Sequence, residues 1–463
     1  MLTSMMDAGM PRIARLRGYH SNKPDLPEMG KNLRESWEAF QRKAITNYGG
    51  LAQSSLCNRI VPNGLRIGSS EDHPALAAAR RIWRDNYLDI RVAEAIEDAE
   101  QTGRGYLFYG LDDDAVLITR EAPEQAFAIP DPVRLGRTRA AIKVWRDEVL
   151  ERDFLLVQCP DPDDPSGSLA QEFTRSAKTD AGSWRSGSRA RTAGEWEPVG
   201  EPRPFDGPPG VLILRRKGDE AFIEQHLDVI DRINLGKLNR LVITAMQAFR
   251  QRALKPRDGE QPLPDKDSDG NDIDWASALE HAPGAIWDLP IPIDIWESQP
   301  TDINPLLNAE KADARDFAAL TGTPVSVLIP DGQMETAAGA AQVPQQQVSN
   351  AKAEIRYFSP TLALLMVRAL RLEGVDLGDD TLEVLWVPPE HVSISERFDA
   401  ATKAKAAGLS ERTIKRDILG MSPDQIRQDE TDKAGDLLAA ALLAPPPSPN
   451  QSGTPAQPTP AEV

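Results

Sequence analysis

Apolar positions in this chain recur in two rhythms. Spacings of three and four residues predict helices, and short apolar runs bounded by turn residues predict strands. Residues 1–30 are expected to be irregular, because Pro11, Pro24 and Pro27 interrupt any helical run. From Lys31 to Tyr48, the residues Leu33, Trp37, Phe40, Ala44 and Ile45 fall at helical spacing. Between Pro74 and Thr102 the pattern predicts two helices. Leu76, Ala79, Ile82 and Trp83 mark the first, and Ile90, Ala93, Ile96 and Ala99 mark the second, which Gly103 stops. Tyr106–Tyr109 and Ala115–Ile118, joined by a turn at Asp112, Asp113 and Asp114, predict a β-hairpin. Ala140–Arg146 and Phe154–Gln158 predict further strands, and the Gly-, Ser-, Pro- and Arg-rich stretch from Pro160 to Pro209 predicts long loops around a strand or two. On this pattern residues 1–215 form one α+β domain.

The texture changes after that. Asp219 to Leu254 contains no proline, and Ile223, Leu227, Ile230, Ile233, Leu238, Leu241, Val242, Ala245 and Phe249 recur at helical spacing. This predicts one amphipathic helix of roughly 34 residues, about 50 Å at 1.5 Å per residue, with Gly236 its weak point. That is far above the usual 11–12 residues or so, as suits a strut. Residues 255–302 are polar and proline-punctuated, with a small helix expected at Trp275–His281 and strands at Ala285–Leu289 and Ile293–Glu297. A helix is expected from Pro305 to Leu320, then a break at Thr321-Gly322-Thr323-Pro324, a loop at Val325–Gly339, and a long helix from Ala340 to Glu373 interrupted by Pro344 and Pro360. A strand at Thr381–Val387 follows. Residues 393–443 predict three short helices, started by the capping residues Ser395, Ser410 and Ser422 and separated at Gly408 and Gly420. The last twenty residues hold seven prolines and nothing apolar larger than valine, which predicts a disordered tail.

Composition narrows the function classes. The 463 residues carry a formal net charge of -18, which argues against a surface that grips nucleic acid all round. It leaves room for a protein that lets nucleic acid slide past. Two cysteines, Cys57 and Cys159, make no disulfide framework, and five scattered histidines give no metal-finger spacing. No run of about 18 apolar residues predicts a membrane span, and the N-terminus does not have the shape of a secretory signal. A soluble protein made inside the cell is expected.

Catalytic motifs are scarce. Gly103-Arg104-Gly105 and Gly236-Lys237 lack the spacing of a phosphate loop. Asp265, Asp267, Asp269 and Gly270 match the opening of a calcium loop, but Ala276 stands where the closing acid belongs, so an exposed acidic turn is the expectation. Arg175 to Arg191 (Arg175, Lys178, Arg185, Arg189 and Arg191, with Trp184) is the one local basic patch. Its Ser and Gly content favours a solvated loop over a nucleic-acid contact. No cofactor, no metal site and no enzyme activity are predicted. The enzyme rival is a metal-dependent nuclease built on Asp265, Asp267 and Asp269, for which one flexible loop is a poor scaffold.

The order of parts resembles the portal, or head–tail connector, proteins of tailed bacteriophages, in particular long-tailed phages of actinobacteria and their Gram-positive relatives. The resemblance covers residues 28–440. It rests on Asn47-Tyr48-Gly49-Gly50, on Ile82-Trp83-Arg84-Asp85-Asn86 leading to Gly103-Arg104-Gly105-Tyr106, and on Ile230-Asp231-Arg232-Ile233-Asn234. It continues with Ala319-Leu320-Thr321-Gly322-Thr323-Pro324, Ser393-Ile394-Ser395-Glu396-Arg397-Phe398-Asp399-Ala400 and Ala407-Gly408-Leu409-Ser410.

The resemblance implies an α+β portal fold with residues 1–218 as wing, 219–254 as stem helix, 255–302 as clip and 303–324 as second stem helix. Residues 325–339 would be the tunnel loop, 340–392 a kinked helix with a strand returning to the wing, 393–443 the helical crown and 444–463 the tail. It implies a homo-oligomeric ring, about twelve copies by the family's pattern, closed through one heterologous interface. Double-stranded DNA would pass through the ring during packaging and ejection, with Asp331, Gln333, Met334 and Glu335 on the channel loop. The implied partners are the terminase large subunit, a head-completion or adaptor protein, and the major capsid and scaffold proteins; no membrane is implied. The implied location is the portal vertex of a virion assembled in a bacterial cytoplasm. Another ring adaptor or a minor capsid protein is the alternative within the virion.

Overall fold

The computed structural model describes residues 1–24, 38, 41–68, 73–112, 115–134, 136–164, 167–176, 195–205, 207–248, 252–256, 266, 270, 272, 293–297, 301–330, 337–390 and 394–443. The first half contains α1 (Leu2–His20), α2 (Tyr48–Cys57), β1 (Pro62–Ile67), α3 (Ala75–Asp85) and α4 (Leu88–Thr102). Strands follow: β2 (Arg104–Asp112), β3 (Ala115–Glu121), β4 (Ala126–Pro130), β5 (Thr138–Asp147), β6 (Arg152–Pro160), β7 (Ser168–Ser176), β8 (Glu197–Phe205) and β9 (Val211–Arg215). The second half contains α5 (Leu227–Ala248), β10 (Arg252–Pro256), β11 (Ile293–Glu297), α6 (Asn304–Thr321), α7 (Val325–Leu328) and α8 (Ala337–Leu372). It ends with β12 (Leu382–Trp386), α9 (Ile394–Ala406), α10 (Glu411–Thr413, continuing as a π-turn over Ile414–Ile418) and α11 (Pro423–Leu443). Helices and several antiparallel sheets make a mixed fold of α and β elements.

The centre is the three-stranded sheet β3–β2–β9. Strand side chains alternate between faces, and β2 is apolar on both. Leu107 and Tyr109, with Leu212 and Leu214 of β9, join the main core with α3 and α4. Tyr106, with Val211 and Ile213, packs the other way onto Ala126, Ala128 and Ala141 of the five-stranded sheet β4–β5–β6–β7–β8. Helix α4 lies so close that a Cβ on Gly105 would sit 1.9 Å from the Ala95 carbonyl oxygen, so only glycine fits. The edge strand β8 is exposed along almost its whole length, and Pro198, Pro202 and Pro204 remove donors from it, which discourages pairing with another sheet.

The chain's second half returns to this core. Phe358, Leu362, Leu365, Met366, Ala369 and Leu370 of α8 are buried with α3, α4 and β2. Strand β12 then pairs antiparallel with β1, Leu382 opposite Ile67. Helix α8 and β12 thus complete the core built by residues 1–215.

Several expectations need correcting. Residues 2–20 are helical through Pro11, not irregular. Leu2, Met6 and Met10 recur every four residues and are buried against Ile142, Val144 and Leu155 of the five-stranded sheet. Burying three large side chains at about 1.5–3 kcal/mol each outweighs the roughly 3 kcal/mol that an interior proline costs. The helix expected over residues 31–48 ends earlier: residues 41–44 are helical, 45–47 are not, and α2 starts afresh at Tyr48, capped by Asn47 accepting from the Gly50 amide.

The strut expected over 219–254 is a helix of 22 residues. Short 3-10 turns at Lys217–Asp219 and Glu224–His226 precede it, because Ala221 and Ile223 are drawn into the core and the chain bends to bury them. After it the chain becomes β10, which pairs with β11. Gly236 leaves α5 unbroken. Helix α8 runs unbroken for 36 residues, about 54 Å, through both Pro344 and Pro360. The expected loop at 325–339 is shorter at both ends, holding α7 and the start of α8. Of the three expected caps, Ser410 accepts from the Thr413 amide and Ser422 from the Gln425 amide, whereas Ser395 lies inside α9. The third helix of that group, α11, has 21 residues and is not short. Trp275–His281, Ala285–Leu289, Asp113, Asp114 and the tail 444–463 lie outside the described residues.

Candidate functional site

The candidate site is a surface: the antiparallel pair α5 and α6, with the two-stranded sheet β10–β11 joined to it. The pair forms because each helix carries one apolar stripe and complementary charges beside it. Ile230 and Ile233 of α5 are buried with Phe317 and Ala318 of α6. Arg232 lies 3.0 Å from Asp313 and 3.7 Å from Asp316, and about two turns further along α5, Arg240 lies 2.8 Å from Glu310. These pairs run in opposite chain directions, which fixes the antiparallel register.

The lower half of α5 is gripped by the N-terminal elements. The Tyr19 hydroxyl donates to the Asp231 carboxylate at 2.8 Å, and the Thr46 amide donates to Asn234 Oδ1 at 3.0 Å. Burial, reinforced by that carboxylate, pushes the Tyr19 phenol up to about 12. The Lys237 amine donates to Thr46 Oγ1 at 2.5 Å and sits 4.6 Å from the centre of the Tyr48 ring. Burial lowers its affinity for a proton, with Glu310 pulling the other way.

Beyond Leu238 the grip ends. Leu241, Val242 and Ile243 of α5 and Leu306 and Leu307 of α6 are only half-buried, while Leu235 and Leu320 are 48% and 55% exposed. A single subunit leaves these apolar positions without full cover. A second exposed apolar stretch, which the sequence pattern did not single out, is the end of α11, with Leu437, Leu438 and Leu442 exposed. The signal was present as the run from Leu437 to Leu443.

Asp331, Gln333, Met334 and Glu335 lie outside the described residues, between α7 and α8. The flanks are described. Leu328 is buried against the base of the helix pair, and Gln347 on α8 accepts from Arg59 and donates to Ser55 at 2.8 Å. The left-handed Gly322 ends α6, and Asn350 donates to the Thr321 carbonyl, fixing α6 on α8. Asp265, Asp267 and Asp269 also lie outside the described residues. Around them Lys266 pairs with Asp272 across a bridge, and Gly270 is left-handed and exposed.

Of the expected basic patch, only Arg175 is described, and it is not part of an open surface. It is buried against Asp153 at 3.0 Å, with its guanidinium 4.4 Å from the Trp196 ring. Among the described residues no group of three or more His, Cys, Asp or Glu could hold a metal ion. None of the described helices is long and apolar enough to cross a membrane. Burial raises the Cys57 thiol well above its ordinary range, helped by Glu100, while Cys159 is exposed. An open groove of about 630 Å³ between α1, β2 and β4 contains Arg12, Arg104, Asp219 and Glu224, but these are already paired with one another across it.

No family model matches the chain, and no curated protein matches it. Among solved structures, a chain of the virion of a native gene transfer agent particle is 15% identical, with a TM-score of 0.39, over 89% of this chain and 98% of that one. A chain of the neck of the native particle, computed with C12 symmetry, is 15% identical with a TM-score of 0.38, over 88% and 99%. A chain of the neck of the empty particle, computed with C6 symmetry, is 15% identical with a TM-score of 0.37, over 80% and 88%. Similarity at this level carries no argument about function.

Proposed function

We propose that this chain is the subunit of a portal ring, the channel at one vertex of a phage-like particle through which double-stranded DNA is packaged and ejected. The observation that carries the reading is the helix pair α5–α6. It is anchored at its base, linked to the small sheet β10–β11, and lined beyond Leu238 with apolar residues that one subunit covers only in part. A neighbouring copy related by rotation would cover them, and repetition of one such interface closes a ring. The order of sequence signatures from Asn47 to Ser410 supports the same reading.

In this proposal the helix pair is the stem, the β10–β11 region belongs to the clip, and residues 331–336 belong to the tunnel loop. The net charge of -18 per subunit suits a passage that repels the DNA backbone and does not hold it. The packaging energy comes from a terminase docked on the clip, and head-completion and capsid proteins contact the rest of the ring.

The test is electron microscopy of the purified full-length chain and of assembled particles viewed down their axis. Rings with an open centre are expected. Monomers in every condition, with no ring at a particle vertex, would refute the proposal.

A further inference from the structure

Three charged side chains meet inside the main core. Glu100, in the last turn of α4, is 0% exposed. Glu354 comes from the buried face of α8. Arg216, just after β9, reaches both: its Nε lies 2.9 Å from Glu100 Oε2 and a terminal nitrogen lies 2.8 Å from Glu354 Oε1. Its other terminal nitrogen donates to the Glu220 carbonyl at 2.9 Å, and the guanidinium lies 5.6 Å from the Phe222 ring centre.

Two carboxylates thus share one cation in a largely buried site, with Glu100 fully buried and the Arg216 side chain 14% exposed. An uncompensated charge in such a place is strongly disfavoured. Neither Glu100 oxygen, nor Glu354 Oε2, meets hydrogen-bond geometry with a partner. The other titratable group that feels the cluster is the Cys57 thiol at the end of α2, which in turn feels Glu97 one turn back on α4. Neither brings a second positive charge. Among the described groups, only a proton balances the account.

We propose that Glu100, Arg216 and Glu354 form a proton-operated latch between α4 and α8: a proton on Glu100 neutralises the cluster at neutral pH, and its loss loosens α8 from the core. The geometry selects Glu100 as the proton carrier because Glu354 keeps the hydrogen-bonded terminal nitrogen of Arg216. Burial acts in the same direction, raising the Glu100 carboxyl to about 8 against the pull of Arg216 and with the help of Glu354. The latch matters because α8 leads directly away from residues 331–336, so a change in its seating would reach that segment. The inference does not depend on the portal reading.

The experiment is infrared spectroscopy of the full-length protein between pH 6 and 9, paired with amide hydrogen exchange over residues 346–360. The wild type is expected to show a buried carboxylic-acid carbonyl band at pH 7 that fades by pH 9. Exchange in α8, corrected for its intrinsic pH dependence, should rise by up to roughly tenfold per pH unit below the band's midpoint, where the opened state has already lost the proton that the seated state keeps, and level off above it. Glu100→Gln should lack the band and the rise. Glu354→Gln, which leaves Arg216 to Glu100 alone, should move the midpoint to lower pH and serves also if Glu100→Gln does not fold. A band that is absent at pH 7, that persists in Glu100→Gln, or that keeps its midpoint in Glu354→Gln would overturn the latch. So would identical exchange in wild type and Glu100→Gln across the range.

Discussion

The carboxylate of Asp153 offers a sharp test of what holds the five-stranded sheet together. It is 0% exposed and lies in the middle of a row across three strands, opposite Arg146 on β5 and Arg175 on β7. Arg146 donates to its two oxygens at 2.6 and 3.1 Å, and Arg175 donates at 3.0 Å. Asp153→Asn keeps the size and removes the charge, leaving two largely buried guanidiniums without the anion between them. Removing one partner of a buried charged pair costs about 3–5 kcal/mol, so a loss of at least ~3 kcal/mol is expected. Urea unfolding followed by tryptophan fluorescence suits the measurement, because Trp145 stacks on Phe154 at 5.3 Å and Trp196 lies under Arg175, both beside the row. Repeating the substitution in an Arg175→Met background isolates the coupling, which should be about 1 kcal/mol or more. A cost under about 1 kcal/mol, or an identical cost in both backgrounds, would refute the view that this row is a buried electrostatic clamp.

Gly105→Ala should destabilise the protein by at least ~3 kcal/mol or prevent folding, since its Cβ would lie 1.9 Å from backbone oxygen that cannot yield; an unchanged thermal midpoint would contradict the packing of α4 on β2. His20 is held neutral, its value lowered to about 4 from 6.5 by burial and then by Arg17, and neither ring nitrogen has a partner. As pH falls below 6.5 the unfolded chain takes up this proton first. The associated stability is full above pH 6.5 and is lost down to about pH 4, by roughly 3 kcal/mol. His20→Phe should flatten that part of the acid limb in denaturant titrations, and equal slopes in both proteins would exclude the assignment. On the proposed portal reading, Leu235→Asp or Leu320→Asp should leave chain stability within about 0.5 kcal/mol while weakening each contact between copies by ~1 kcal/mol, read as fewer rings by light scattering and microscopy. Unaltered ring yield in both variants would remove those faces from the interface.

Local rhythm in the amino-acid sequence was enough to place α3, α4, α6, the β2–β3 hairpin, and the strands of residues 140–146 and 154–158, because in each the apolar period, the stop at Gly103 or the turn at Asp112 acts over a few residues. The Ser410 and Ser422 caps were legible for the same reason: a hydroxyl and an amide three residues away suffice. Partner-dependent features were not legible. Pro11 and Pro360 signal interruption locally, yet α1 and α8 continue through them because Leu2, Met6 and Met10, and Phe358, Leu362 and Leu365, find apolar surface contributed by distant strands and helices. The length of α5 was overread because the apolar spacing continues through Ala221 and Ile223, whose burial demands a bend that periodicity cannot express.

The pairing of β1 with β12 and the meeting of Glu100, Arg216 and Glu354 join positions far apart in the chain, with no local mark of either. The pattern of residues by itself determined most of the helices, several of the strands and the chain's net negative charge. Only the tertiary structure decided which apolar stripes are covered within the chain and which charges share a buried site, because burial is a property of the surroundings that three-dimensional packing supplies.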